Sequence, residues 1–221
     1  MNGIQLMLEE EQIRQVVQAM RNLEKSEESV FKTAVNNTAN RAQKLLARQA
    51  KKIYGGEASE GILERSSIKK ATVSSLGARI LYRSTQPDIT KFRVSVYGRS
   101  PTPILWENKK RVPFPISVQQ LKSAPLKELS GKNGMAFAVR FSNGKLAIVR
   151  RTGKKTNTEL LTKRGKKSKH KRDQLRVVMG SSDRSMVRNK KVYGAVQGKI
   201  GDILNQQCQK ALQRALAGGK K

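Results

Sequence analysis

The chain has 221 residues, 37% of them hydrophobic and 5% aromatic, which is enough for one domain with a modest core and long excursions. Its formal net charge of +30 and pI near 10.8 call for an anionic partner: a nucleic acid or an acidic protein surface first, a membrane surface after them. No apolar run approaches the ~20 residues of a membrane span, and one cysteine, Cys208, excludes an intrachain disulfide or a cysteine metal cluster.

The charge is uneven. Residues 1–60 hold nine Lys/Arg against eight acids, and the rest of the chain holds 37 against eight. Met1 to Met20 contains Glu9, Glu10 and Glu11 and does not read as a signal peptide, so the expected setting is a bacterial cytoplasm or a particle assembled there.

In chain order, Ile13, Val16, Val17, Met20 and Leu23 predict a short amphipathic helix over Glu9–Leu23. A second, much longer helix is expected over Ser26–Tyr54, with Phe31, Val35, Thr38, Ala42, Leu45, Gln49 and Ile53 recurring on one stripe. Ser26 suits its cap, and Gly55-Gly56 its end. Ile62 to Ala71 predicts a short helix. Ala78–Arg83 and Lys91–Tyr97 then read as strands, the second alternating Phe92, Val94 and Val96 with Lys91, Arg93 and Ser95.

Five of the six prolines fall between Gly98 and Gly134, so this stretch reads as an arm (98–134) in which Leu105, Trp106 and Phe114 form an adhesive subunit contact. Asn143-Gly144 predicts a type I′ hairpin with Phe141 facing Leu146 and Val139 facing Ile148. Leu175, Val177 and Met179 alternate as a further strand. Between them Arg151 to Arg172 carries ten Lys/Arg and one acid, Glu159, and reads as a projecting basic loop (151–173). Its Lys163, Arg164, Lys166, Lys167, Lys169, Lys171 and Arg172 are the residues expected to contact DNA or an acidic partner.

A last amphipathic helix carries Val192, Val196, Ile200, Ile203, Leu204, Cys208, Ala211, Leu212 and Ala215. Gly194, Gly198 and Gly201 place its firm start near Ile200. The expected architecture is α+β in a single domain, 1–221. Its long N-terminal and C-terminal helices pack on a mainly antiparallel sheet, with the arm and the basic loop as excursions.

Catalysis is not expected. The single histidine, His170, lies in the most charged stretch, and no carboxylate pair, P-loop or dinucleotide fingerprint is present, so no cofactor or metal is expected. The basic stretch lacks interleaved aromatics, which disfavours stacking on single strands and favours sequence-blind contact with duplex DNA, or docking on an acidic protein.

The order of several short motifs resembles the minor tail protein Z family of tailed phages and prophages, the tail completion proteins. They are Ala34-Val35-Asn36-Asn37-Thr38-Ala39-Asn40-Arg41-Ala42, Ile68-Lys69-Lys70-Ala71, Ala78-Arg79-Ile80, Phe141-Ser142-Asn143-Gly144 and Val149-Arg150-Arg151-Thr152-Gly153-Lys154. Leu175-Arg176-Val177, Gly180-Ser181-Ser182 and Ser185-Met186 follow, before an apolar final helix. Arg176 and Ser181 stand where the family usually has prolines.

The resemblance spans roughly Ala34 to Leu216. It implies a non-enzymatic virion protein at the head-proximal end of the tail, forming a ring with copies of itself. Tail terminator, tail tube or tape-measure proteins would be its neighbours, with duplex DNA in the channel. The alternative expectation is a cytoplasmic nucleic-acid-binding protein without sequence preference.

Overall fold

The computed structural model describes residues 4–6, 27–96, 116–131, 134–140, 144–155 and 173–218. The helix expected over Glu9–Leu23, the cap Ser26 and the apolar trio Leu105, Trp106 and Phe114 lie outside the described residues, as do Lys163, Arg164, Lys166, Lys167, Lys169, Lys171 and Arg172. The fold is α+β, and every strand pairing in it is antiparallel. The chain divides into two compact units, Met1–Ile53 with Ser59–Thr85 and Ser182–Lys221, and Tyr54–Ala58 with Gln86–Ser181.

The first unit contains β1 (Ile4–Leu6), α1 (Glu27–Ile53), β2 (Ser67–Lys69), β3 (Ala78–Leu81), α2 (Asp183–Arg188) and α3 (Lys190–Gly218). The buried stripe of α1 runs through Phe31, Ala34, Val35, Thr38, Ala39, Ala42, Leu46 and Ala50. It follows the true helical pitch, so Leu46 and Ala50 take the place expected of Leu45 and Gln49. Small residues dominate this stripe and allow α3 to lie close along α1 with Val196, Ile200, Leu204, Cys208 and Ala211 buried. Fully burying a side chain such as Leu46 stabilises by about 2 kcal/mol. Thr38 hides its hydroxyl by donating to the Ala34 carbonyl at 2.8 Å.

The sheet order is β1-β3-β2, with Ile4, Ile80 and Ile68 in one cross-strand row. Here the short helix expected from Ile62 to Ala71 is corrected. Residues 61–65 form a turn, and Ser67–Lys69 pairs with Lys69 opposite Arg79 and Ser67 opposite Leu81. The cause is nonlocal: β3 offers an edge, and Asn36 of α1 hydrogen-bonds both polar groups of the Ala71 backbone. Arg65, in the turn, donates from Nε and Nη2 to the Asp183 carboxylate at 2.8 and 2.9 Å. Ser182 caps α2 by accepting from the Ser185 amide.

A second correction concerns α3, which begins at Lys190 and continues unbroken through Gly194, Gly198 and Gly201 to Gly218. Val192 and Val196, both buried, anchor the glycine-weakened half, so tertiary packing outweighs helix propensity.

The second unit contains β4 (Arg93–Val96), β5 (Ile116–Gln119), β6 (Lys127–Glu128), β7 (Ser130–Gly131), β8 (Gly134–Met135), β9 (Phe137–Arg140), β10 (Leu146–Lys155) and β11 (Asp173–Val177). Strands β4, β5 and β6 make one three-stranded sheet in that order. The expectation of an irregular arm over 98–134 is therefore corrected in its described half. Ile116 and Val118 are buried strand residues, and Pro125 falls between β5 and β6, outside both strands.

Strands β7 and β8 pair as a two-stranded sheet, and a further three-stranded sheet has the order β11-β10-β9. Its hairpin register is also corrected. Val139 pairs with Ala147, and Arg140 with Leu146, one residue away from the alignment that a two-residue Asn-Gly turn would impose. Gly144 retains the expected positive φ, at 78°. A 3-10 turn at Ile89–Lys91 is fastened to this sheet. Ile89 donates to the Val178 carbonyl, Val178 donates to the Ile148 carbonyl, and Lys145 reaches Asp88 at 2.8 Å.

Candidate polyanion-binding ribbon

Strand β10 has two halves of opposite character. Ala147, Ile148 and Val149 are at most 1% exposed, whereas Arg150, Arg151, Gly153, Lys154 and Lys155 are exposed. The buried half fixes the strand in the sheet, and the ladder carries the order outward. β11 pairs with it from Val149↔Val177 through Arg150↔Arg176 and Arg151↔Leu175 to Lys155↔Asp173. The stretch expected as a basic loop from residue 151 is thus corrected at both ends, because its described residues are paired strand. The register shifts between Arg151 and Lys155, where Gly153 adopts φ 80°, the conformation a bulge asks of glycine.

Alternation gives this two-stranded ribbon two different faces. On one face Arg151 and Leu175 lie opposite each other, beside the row Phe137, Val149 and Val177. The Arg151 guanidinium sits 5.5 Å from the centre of the Phe137 ring. Its Nε also meets Asp173 Oδ2 at 3.0 Å, while Lys155 Nζ meets Asp173 Oδ1 at 2.7 Å. The hydrogen bond from Lys155, reinforced by the charges of Lys155 and Arg151, holds the Asp173 carboxyl below the ordinary carboxylate range. One acid therefore occupies two cations.

On the other face Arg150 lies directly opposite Arg176. Both are exposed, and among the described residues neither has a carboxylate partner. Two positions further along each strand, Thr152 Oγ1 donates towards the Gln174 carbonyl at 3.2 Å and lies 3.3 Å from Gln174 Oε1. The result is two guanidinium groups with a hydroxyl and an amide next to them. Lys69 and Arg79 also face one another in the first unit, but there the neighbouring pair is Ser67 and Leu81.

The residues expected to make the charged contact, Lys163 to Arg172, belong to the segment that enters from Lys155 and leaves at Asp173; they lie outside the described residues. Arg150 and Arg176 escaped sequence reasoning as a pair, because the register across a long intervening segment is not encoded locally. The alternation of Leu175-Arg176-Val177 was the one available signal. Among the described residues no three His, Cys, Asp or Glu side chains come together. No helix there is long and apolar enough to cross a membrane. Comparison with known proteins finds no matching family model, curated protein or solved structure.

Proposed function

We propose that the chain is a structural component of a tailed phage or phage-like particle, completing the head-proximal end of the tail so that it can join a filled head. It works without catalysis, as a ring of identical copies in the virion tail, with tail terminator, tail tube or tape-measure proteins as neighbours. Its cationic segments face the DNA of the channel or acidic surfaces of those subunits. The observation that carries this reading is the β10–β11 ribbon, an exposed cationic ladder whose facing arginines, Arg150 and Arg176, have no carboxylate partner among the described residues. The motif order that resembles the minor tail protein Z family supplies the particle.

The test is electron microscopy of tails assembled without the protein. Tails that form but do not join heads are expected, whereas normal infectious particles would rule the reading out. Replacing Lys163, Arg164, Lys166 and Lys167 with Gln separates it from the alternative, a cytoplasmic nucleic-acid-binding protein. A loss of DNA affinity with no assembly defect would favour that alternative.

A further inference from the structure

We infer that Arg150 and Arg176 together grip one phosphate of the duplex DNA backbone, with the side-chain amide of Gln174, held by Thr152, as a neutral donor beside them. The inference rests on the reading that this ribbon meets a polyanion, and it names both the polyanion and the gripping residues.

The pair is costly without a ligand. Like charges directly opposite on antiparallel strands destabilise a sheet, and the ladder holds their Cα atoms only about 4.5–5.5 Å apart. Neither arginine can withdraw at the backbone, because the adjacent pair Val149↔Val177 places Val149 at 0% exposure. The local acid does not relieve them either: Asp173 lies with Arg151 and Lys155. An anion held between the two guanidinium groups turns the repulsion into attraction.

Phosphate suits the position. A guanidinium is a planar fork that matches phosphate oxygens in pairs, and the two free oxygens of a phosphodiester can each accept from both sides. A side-chain amide next to the forks is a usual neutral donor to a DNA backbone. Duplex DNA fits better than a single strand, since no aromatic residue occurs in Arg150–Lys155 or Asp173–Val177 and single strands are held largely by stacking. It also fits better than an acidic protein. A duplex carries a charge every ~1.7 Å of its axis, so cations spaced along a strand at about 3.3 Å per residue all find phosphates without a matched pattern of acids.

The roles then divide between neighbours. Arg151 is tied to Phe137 and Asp173 and braces the ribbon, while Arg150 and Arg176 reach outward.

The experiment uses the full chain and a fluorescent duplex of about 30 base pairs, with anisotropy titrations between roughly 50 and 200 mM salt. Arg150→Gln and Arg176→Gln should each weaken binding about tenfold, and the two together should lower the salt slope by about one, for the one phosphate lost. The double variant should lose less than the product of the two, because one phosphate is shared. Thermal unfolding should show all three variants folded and no less stable than the parent.

The control is Lys44→Gln with Arg48→Gln, an equal loss of charge on the exposed side of α1. A double ribbon variant that loses no more affinity than this control overturns the inference, as does full multiplication of the single effects. If that variant binds DNA like the parent but fails in tail completion, the phosphate grip falls and the tail reading stands. If it loses DNA affinity while particles lacking the protein remain infectious, the tail reading falls and the phosphate grip stands.

Discussion

Asn36 and Ala71 lie 35 positions apart and share two hydrogen bonds. The Ala71 amide donates to Asn36 Oδ1 at 2.8 Å, and Asn36 Nδ2 donates to the Ala71 carbonyl at 3.2 Å. The amide side chain behaves as one rung of a sheet, tying α1 to the strand region that follows β2. Ala71 is 4% exposed, so water cannot easily replace a lost partner. Asn36→Asp keeps the acceptor, removes the donor and sets a negative charge against the Ala71 carbonyl. It should cost about 1–3 kcal/mol, read as a lower urea midpoint with unchanged slope. Asn36→Ala should cost a comparable amount by leaving both backbone groups without partners.

Gly180 meets Phe92 at a distance that no side chain tolerates. A Cβ at Gly180 would run into the Phe92 ring, and Phe92 is itself 4% exposed. The buried ring would have to shift, while the Gly180 amide is engaged with the Pro87 carbonyl at 2.8 Å. Gly180→Ala should therefore destabilise the second unit by about 1–3 kcal/mol through overpacking. Denaturant unfolding followed by near-UV signals measures it, and an unchanged midpoint would refute the clash.

These contacts mark how far the sequence was legible. The two long helices follow from their own periodicity, because each stripe of α1 and α3 is set by residues three or four apart. β2 was misread as helix because Ile68-Lys69-Lys70-Ala71 is too short for a period to declare itself, and its state is decided by β3 and by Asn36. The hairpin between β9 and β10 was expected in the right place and shifted by one residue, since Asn143-Gly144 announces a turn without stating its length. In the ribbon, charge was legible and pairing was not. No local rule places Arg150 opposite Arg176 when the ladder is interrupted near Gly153 and a long segment separates the strands.

Helix α3 carries glycines at positions 194, 198 and 201 that no contact among the described residues requires. A Cβ added at Gly194, Gly198 or Gly201 meets no atom within 4 Å, and all three sites are exposed. Glycine in a helix interior costs roughly 1 kcal/mol relative to alanine through backbone entropy. Gly194→Ala, Gly198→Ala and Gly201→Ala should each stabilise the monomer by about that amount. A rise in the urea midpoint with each substitution checks this, and a fall at any one position would show that the helix needs glycine there.

Asp173 makes the outer ribbon sensitive to acid. Folding lowers its pKa, first through the hydrogen bond from Lys155 and then through the charges of Lys155 and Arg151. A carboxyl whose native pKa lies below its unfolded value, about 3.9, contributes its full stability above that value. The contribution is lost as pH falls through the native pKa. Acid should therefore release Lys155 and Arg151 at the exposed end, while the buried pair Val149↔Val177 keeps the base of the ribbon in place. Amide protection, relative to the intrinsic exchange rate at each pH, should fall at Lys154 and Lys155 below about pH 4, ahead of any fall at Val149. In an NMR titration of the Asp173 carboxyl, Lys155→Gln should raise the midpoint more than Arg151→Gln does, because Lys155 supplies the larger effect. The reverse order would show that Arg151, braced on Phe137, is the principal partner.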